Sequence, residues 1–373
     1  MCEFPRTFFY FVIQYALTNL LGGTMQQDLN VTIEQLYEGK PIYKHQLSNL
    51  LSSEDPDILQ LLMDRADMVR RKYYGTDVYI RGLIEFTNYC RNNCYYCGIR
   101  RDNKAASRYR LSPEEIMTCC DEGYRLGFRT FVLQGGEDGF FTRDKVCQIV
   151  SSIKEKYADC AVTLSIGEWN RSDYQAFFDA GADRYLLRHE TACEEHYNRL
   201  HPEDMCLNHR KECLFALKDI GFQVGSGFMV GSPYQTLDNL VEDIFFLAQL
   251  KPHMIGIGPF ITHKDTPFTD EINGSLNMTL KLISILRLSH PRALIPATTA
   301  LGTIHPEGRE LGLKAGANVI MPNLSPANVR EKYMIYDDKL ATGLEAYEGL
   351  KKLKEKVSSI GYNIVTDIGH SKV

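Results

Sequence analysis

Cys90, Cys94 and Cys97 sit in the run Phe86-Thr-Asn-Tyr-Cys-Arg-Asn-Asn-Cys-Tyr-Tyr-Cys-Gly-Ile-Arg100, after an apolar, strand-like stretch from Val78 to Phe86 and ahead of a basic segment. A four-iron cluster held by four thiolates is saturated and mainly moves electrons, whereas one held by three keeps an iron open to a small molecule. A structural zinc site is the competing reading, because Cys94 and Cys97 form a Cys-x2-Cys pair. Such a site normally needs four protein ligands and a second knuckle, and no partner pair follows. The other eight of the eleven cysteines (Cys2, Cys119, Cys120, Cys147, Cys160, Cys193, Cys206 and Cys213) lie mostly in apolar helical or strand-end contexts and read as core or incidental thiols.

The Cys-x3-Cys-x2-Cys spacing, with the aromatic Tyr96 just before the last cysteine, resembles the radical SAM signature. That resemblance implies S-adenosylmethionine (SAM) as the small molecule at the open iron. Its amino and carboxylate groups chelate the metal, and an electron from the reduced cluster cleaves a carbon–sulfur bond to release a 5′-deoxyadenosyl radical. Cys90, Cys94 and Cys97 are then at once the metal ligands and the catalytic centre.

The elements that must position this loop follow from periodicity. Strand-length apolar runs are expected over 79–86, 130–133, 161–165, 184–187, 223–229, 254–257, 293–296 and 318–321. Amphipathic helices are expected between them over 113–126, 143–157, 171–180, 208–220, 236–250, 278–288 and 307–315, with Ser112 as an N-cap and Gly127, Gly181, Gly221 and Gly316 as stops. Eight strand-helix units predict an α/β fold, a (β/α)8 TIM-type barrel. A six-unit partial barrel is the alternative, and a doubly wound sheet is disfavoured because no Gly-rich dinucleotide fingerprint follows an early strand. The expected domains are an N-terminal helical extension over 25–78, the barrel over 79–323, and a C-terminal extension over 324–373 that closes it as a helical cap. Residues 1–24 read as an apolar leader or a mis-assigned start. The apolar run over 8–21, about fourteen residues, falls short of the roughly twenty that span a bilayer.

In such barrels chemistry sits on loops leaving the carboxyl ends of the strands. Gln134-Gly-Gly-Glu-Asp138 follows the second strand, where Gly135, Gly136 and Glu137 offer bare backbone beside a carboxylate to the methionyl ammonium of the cofactor; a tight turn explains the glycines equally well. Glu190, after the fourth strand, and Arg210, in the next helix, suit the cofactor's amine or ribose and its carboxylate, unless they form an ordinary surface ion pair. Thr298 and Thr299 place adjacent hydroxyls at the barrel mouth, suited to an anionic group. His189, His263 and His305 fall in or near these loops and are assigned no role.

Composition fits ordinary globular material: 373 residues, 44% hydrophobic and 24% charged. Forty-two basic against 47 acidic residues leave a net charge of −5, so no bulk field draws nucleic acid or an anionic membrane. An odd number of cysteines, three of them in one cluster motif, points to a reducing compartment, best the cytoplasm.

From about Ile80 to Tyr336 the chain resembles the HydE-type [FeFe]-hydrogenase maturases, radical SAM enzymes related to biotin synthase and methylornithine synthase. The resemblance rests on Ile84-Glu-Phe-Thr-Asn-Tyr-Cys90, Tyr96-Cys-Gly-Ile-Arg-Arg-Asp-Asn103, Val132-Leu-Gln-Gly-Gly-Glu-Asp138, Tyr185-Leu-Leu-Arg-His-Glu-Thr191, Gly256-Ile-Gly-Pro-Phe260, Pro296-Ala-Thr-Thr-Ala300 and Asn318-Val-Ile-Met-Pro-Asn323. It implies one [4Fe-4S] cluster and SAM as cofactors, with Tyr96, Gly136, Glu190, Arg210 and Pro259 touching SAM. Gln134, Thr163, Arg184 or Arg188, Thr298, Thr299, Met321, Tyr333 and Tyr336 are implied to line the substrate cavity. The implied partners are a small anionic substrate, an electron donor such as a ferredoxin or flavodoxin, and other hydrogenase maturases. Some family members carry a second cluster on C-terminal cysteines, but no cysteine follows Cys213 here, so one cluster is expected. The competing functions are a methylornithine-synthase-like mutase acting on lysine and a non-catalytic zinc- or cluster-binding scaffold; sulfur insertion of the biotin-synthase kind would need further cysteine ligands.

Overall fold

The structure is a computed structural model that describes residues 29–340 and 346–373; the apolar leader lies outside the described residues. The expected first strand is two strands. β1 (Asp77–Ile80) and β2 (Gly82–Thr87) are separated at Arg81, whose side chain is fully buried and donates to Met254 Sδ. β2 is buried at every position, as a parallel strand covered on both faces must be. β3 (Thr130–Gly135), β4 (Ala161–Ser165), β5 (Arg184–Leu186) and β6 (Gln223–Ser226) follow β2 in parallel register. After β6 come β7 (Met229–Val230), β8 (Met254–Ile255), β9 (Gly258–Pro259), β10 (Val319–Ile320) and β11 (Asn363–Val365).

β8 pairs with β6, and parallel bridges from Met254 to Leu294, Pro296 to Val319 and Leu83 to Asn323 carry the ladder back to β2. Segment 293–296 thus takes the seventh strand position of a TIM-type barrel through backbone bonds such as Ile255 N–H to Leu294 O (2.8 Å). The parallel strands need crossovers, and helices supply them. Helix Pro113–Arg125 starts with Ser112 and Glu115 bonding each other's backbone N–H (3.2 and 2.7 Å), with Pro at its first turn. Helix Leu207–Ile220 stops at Gly221 at a φ of 114°, a conformation glycine adopts without cost.

Helices Leu29–Tyr37, Lys44–Ser52 and Pro56–Tyr74 precede the barrel and share one apolar cluster with helix Leu276–Ser289. Arg70 pins the third of them by donating to the carbonyls of Ala317, Gly75 and Asp77 (3.0, 2.9 and 2.9 Å). The C-terminal segment contains helix Ala346–Ser359 and then adds β11 beside β1. Beyond β11 it runs under the amino ends of the strands, where Ile368 O accepts from Thr130 Oγ1 (2.8 Å) and Arg184 Nη2 (2.9 Å). No described helix is long and apolar enough to cross a membrane.

Candidate active site

One cavity of about 380 Å³ lies within the barrel and opens toward the carboxyl-end loops. The three cysteines reach it on the loop after β2, which the rest of the chain holds tightly. Asn103 Nδ2 donates to Gly98 O (2.7 Å), Arg108 donates to the carbonyls of Ile99 and Arg100 (2.9 and 2.6 Å), and Gly98 N–H bonds Ile335 O (2.9 Å). A Cβ at Gly136 would stand 2.2 Å from Tyr89 O and 2.7 Å from Cys90 Cβ, so only glycine lets the loop after β3 lie against the cysteine loop. Burial pushes the Cys97 thiol up to about 12 and raises Cys90 and Cys94 as well. Protons on such thiols leave when metal takes their place.

The donor chemistry fits a cluster. All the described cysteines are free thiols. Three thiols spread along one loop and facing a common cavity suit a multi-iron cluster in which each thiolate takes its own iron. Among the described residues no three His, Cys, Asp or Glu side chains converge as they would on a single metal ion.

Beside the cysteines, Tyr96 is oriented by His201. The His201 Nδ1 lies 3.0 Å from Tyr197 O, a carbonyl that can only accept, so Nδ1 carries the proton and Nε2 accepts from the Tyr96 hydroxyl (3.1 Å). Burial lowers the His201 pKa to about 3, which keeps the ring neutral. Arg210 Nε lies 2.8 Å from Glu168 Oε1, and its Nη1 donates to Arg188 O (3.0 Å). Glu137 faces Arg91 (2.9 Å) and accepts from Glu168 N–H (3.1 Å). Glu190 sits at a φ of 65° with its Oε2 3.4 Å from Arg188 Nη2, and neither atom has a hydrogen-bond partner. Buried polar atoms without partners are rare, and on a cavity wall a ligand can complete their bonding.

The cavity gathers most of the expected site residues: the cysteines, Tyr96, Gln134, Gly135, Gly136, Glu137, Arg188, Glu190, Arg210, Pro259, Thr298, Thr299, Met321, Tyr333 and Tyr336. Thr163 and Arg184, the latter expected as an alternative to Arg188, do not line this cavity. Both lie at a small separate void below the cavity, and Arg184 Nη2 is committed to Ile368 O of the C-terminal tail. They sit within strands β4 and β5, before the carboxyl-end loops, and so face the barrel's lower layer.

Three charged residues lining the cavity were not anticipated from the sequence. Glu85, fully buried on β2, accepts from Lys339 Nζ and from Asn323 Nδ2 (2.8 Å). Lys339 also donates to Tyr333 O (2.9 Å). Arg309 Nε is buried without a partner, and its Nη2 lies 3.4 Å from Thr299 Oγ1; Thr298 Oγ1 is likewise unpartnered. Glu85 carried a usable signal, a lone carboxylate in a strand of buried residues, whereas Arg309 and Lys339 look like ordinary surface charge in sequence.

Residues 84–247 match the family model of the radical SAM superfamily. The chain is 47% identical over 303 residues to the [FeFe] hydrogenase maturase subunit HydE of Thermotoga maritima, covering 81% of this chain and 86% of that protein. The chain belongs to the HydE family of radical SAM enzymes. The 3-methylornithine synthase of Methanosarcina barkeri is more distant, at 31% identity over 82% of this chain and 86% of that protein. The crystal structure of methylornithine synthase (PylB) superposes with a TM-score of 0.76 at 25% identity, covering 91% of this chain and 97% of that one. The HydG maturase shares the fold, with a TM-score of 0.74 at 20% identity over 90% of this chain and 75% of that one. The HydE-family chain is therefore an enzyme built on a barrel that radical SAM relatives share.

Proposed function

We propose that this enzyme cleaves SAM reductively and directs the radical onto a small anionic substrate during assembly of the [FeFe]-hydrogenase active site. The observation that carries the reading is one cavity that joins the three cysteines to a wall bearing Arg188, Arg309 and unpartnered threonine hydroxyl. When bound, the [4Fe-4S] cluster supplies the electron for carbon–sulfur cleavage.

The chain's own groups do the rest. Cys90, Cys94 and Cys97 hold the cluster; Arg210 faces the carboxylate of SAM, Glu190 its amine or ribose, and Tyr96, Gly135, Gly136, Glu137 and Pro259 complete the pocket. Arg188, Thr298 and Thr299 hold the anionic substrate, with Gln134, Met321, Tyr333 and Tyr336 shaping its surroundings and Arg309 adding a fixed charge. In this reading the electron comes from a ferredoxin- or flavodoxin-type donor, the other hydrogenase maturases act alongside, and the reduced thiols fit the cytoplasm.

The mutase reading is favoured by the shared fold with methylornithine synthase. Against it, a lysine substrate would bring an ammonium group to this wall, and the carboxylate of Glu85 is already engaged by Lys339 and Asn323. The test is an in vitro hydrogenase maturation mixture lacking only this family member. Restored hydrogen evolution on adding the chain supports the reading; methylornithine formed from lysine, with no hydrogenase activated, overturns it.

A further inference from the structure

Directly beneath the Glu190 loop, three polar side chains lie sealed in the protein. His189 Nδ1 is 2.9 Å from Ser226 Oγ, and His189 Nε2 is 3.2 Å from Asp243 Oδ1; all three residues are fully buried. The combination looks like a hydrolase triad, but a nucleophile with no access to solvent or cavity cannot meet a substrate. The residues come from three elements: His189 from the loop after β5, Ser226 from the end of β6, and Asp243 from helix Leu237–Leu250.

Polar groups are costly in such a place unless each is satisfied, so their role is sought in what they hold. Asp243 Oδ1 also accepts the backbone N–H of Ala192 (2.5 Å), so it grips the loop on both sides of Glu190. Glu190 needs that grip. Its φ of 65° is a left-handed conformation that is strained for a non-glycine residue and persists only where surroundings impose it. Backbone bonds from Glu190 N–H to Gly227 O (3.1 Å) and from Met229 N–H to Glu190 O (3.3 Å) fix the residue itself. The buried carboxylate fixes the residues flanking it, and the result is a Glu190 carboxylate aimed into the cavity without a hydrogen-bond partner at Oε2.

We propose that Asp243, acting through His189 and the Ala192 amide, is a positioning residue that holds Glu190 in its strained, cofactor-facing conformation. This rests on the reading of Glu190 as a SAM contact. The network lies outside the cavity, so it acts on SAM only by way of Glu190. Outer partners of a ligating group typically contribute 10- to 100-fold.

The test is made on reconstituted holoenzyme with dithionite, measuring 5′-deoxyadenosine as SAM is varied. Asp243→Ala, which removes the acceptor for both His189 and the Ala192 amide, raises the KM for SAM about tenfold. It leaves kcat within twofold, and iron content and the spectrum of the reduced, SAM-free cluster unchanged. In a Glu190→Ala background the same change adds less than twofold, because the residue it acts through is gone. A full tenfold effect in that background, or an unchanged KM in the single variant, overturns the proposal. Should Asp243→Ala fail to fold, Ser226→Ala carries the test: a KM at least threefold higher supports the network, and an unchanged one overturns it. Wild-type enzyme that makes no 5′-deoxyadenosine overturns the underlying reading as well, and is recognised before any variant is compared.

Discussion

Replacing Gly136 by alanine tests whether the loop after β3 must touch the cysteine loop. The new Cβ would stand 2.2 Å from Tyr89 O, against an ordinary contact of 3.4 Å or more, so the loops must part by about 1.2 Å. The obstacle is backbone and cannot rotate away. A misplacement of about 1 Å at a reacting centre costs on the order of a hundredfold in rate, or about 2.7 kcal/mol of barrier. Initial rates of 5′-deoxyadenosine formation, on protein matched for iron and sulfide, give the measurement. Gly139→Ala is the control, because a Cβ there meets nothing within 4 Å. We expect the control near wild type and Gly136→Ala down about a hundredfold. A Gly136→Ala rate within threefold of wild type, with its cluster intact, would refute the steric argument.

Lys339→Met leaves the buried Glu85 carboxylate without its ion-pair partner and destabilises the fold by about 3–5 kcal/mol in urea unfolding; adding Glu85→Gln restores part of that loss. Acid weakens the protein between pH 7.5 and 5. The folded pKa of His201 is lowered to about 3, below its unfolded value of about 6.5, so the unfolded chain binds the extra proton as pH falls. That single histidine accounts for about 2 kcal/mol over this range, and a urea midpoint that does not move with pH would contradict it. Anaerobically reconstituted protein carries about four irons per chain, and a value near eight would reveal a second cluster.

Much of the barrel was legible because its helices declare both ends. The segment expected at 143–157 is helix Arg143–Lys156, and Gly221 stops its helix as glycine must. Tertiary effects hid the rest. Nothing local says that Arg81 turns inward and divides the first strand, or that Asn363–Val365 will find Asp77–Tyr79 as a partner nearly 290 residues away. The site was legible where loops follow strands, since direction then decides which residues face the mouth. Thr163 and Arg184 lie inside strands, where the depth of a side chain depends on barrel stagger, so sequence alone does not say which layer they face. Arg309 and Lys339 reach the cavity from segments beyond the seventh strand position, and only the folded chain shows where those segments lie.

Anaerobically reconstituted enzyme given dithionite and SAM, assayed for 5′-deoxyadenosine beside Cys94→Ala, decides whether the three-cysteine loop does radical chemistry. The native chain forms product and the variant forms none. Native protein that holds about four irons yet yields no 5′-deoxyadenosine would contradict it.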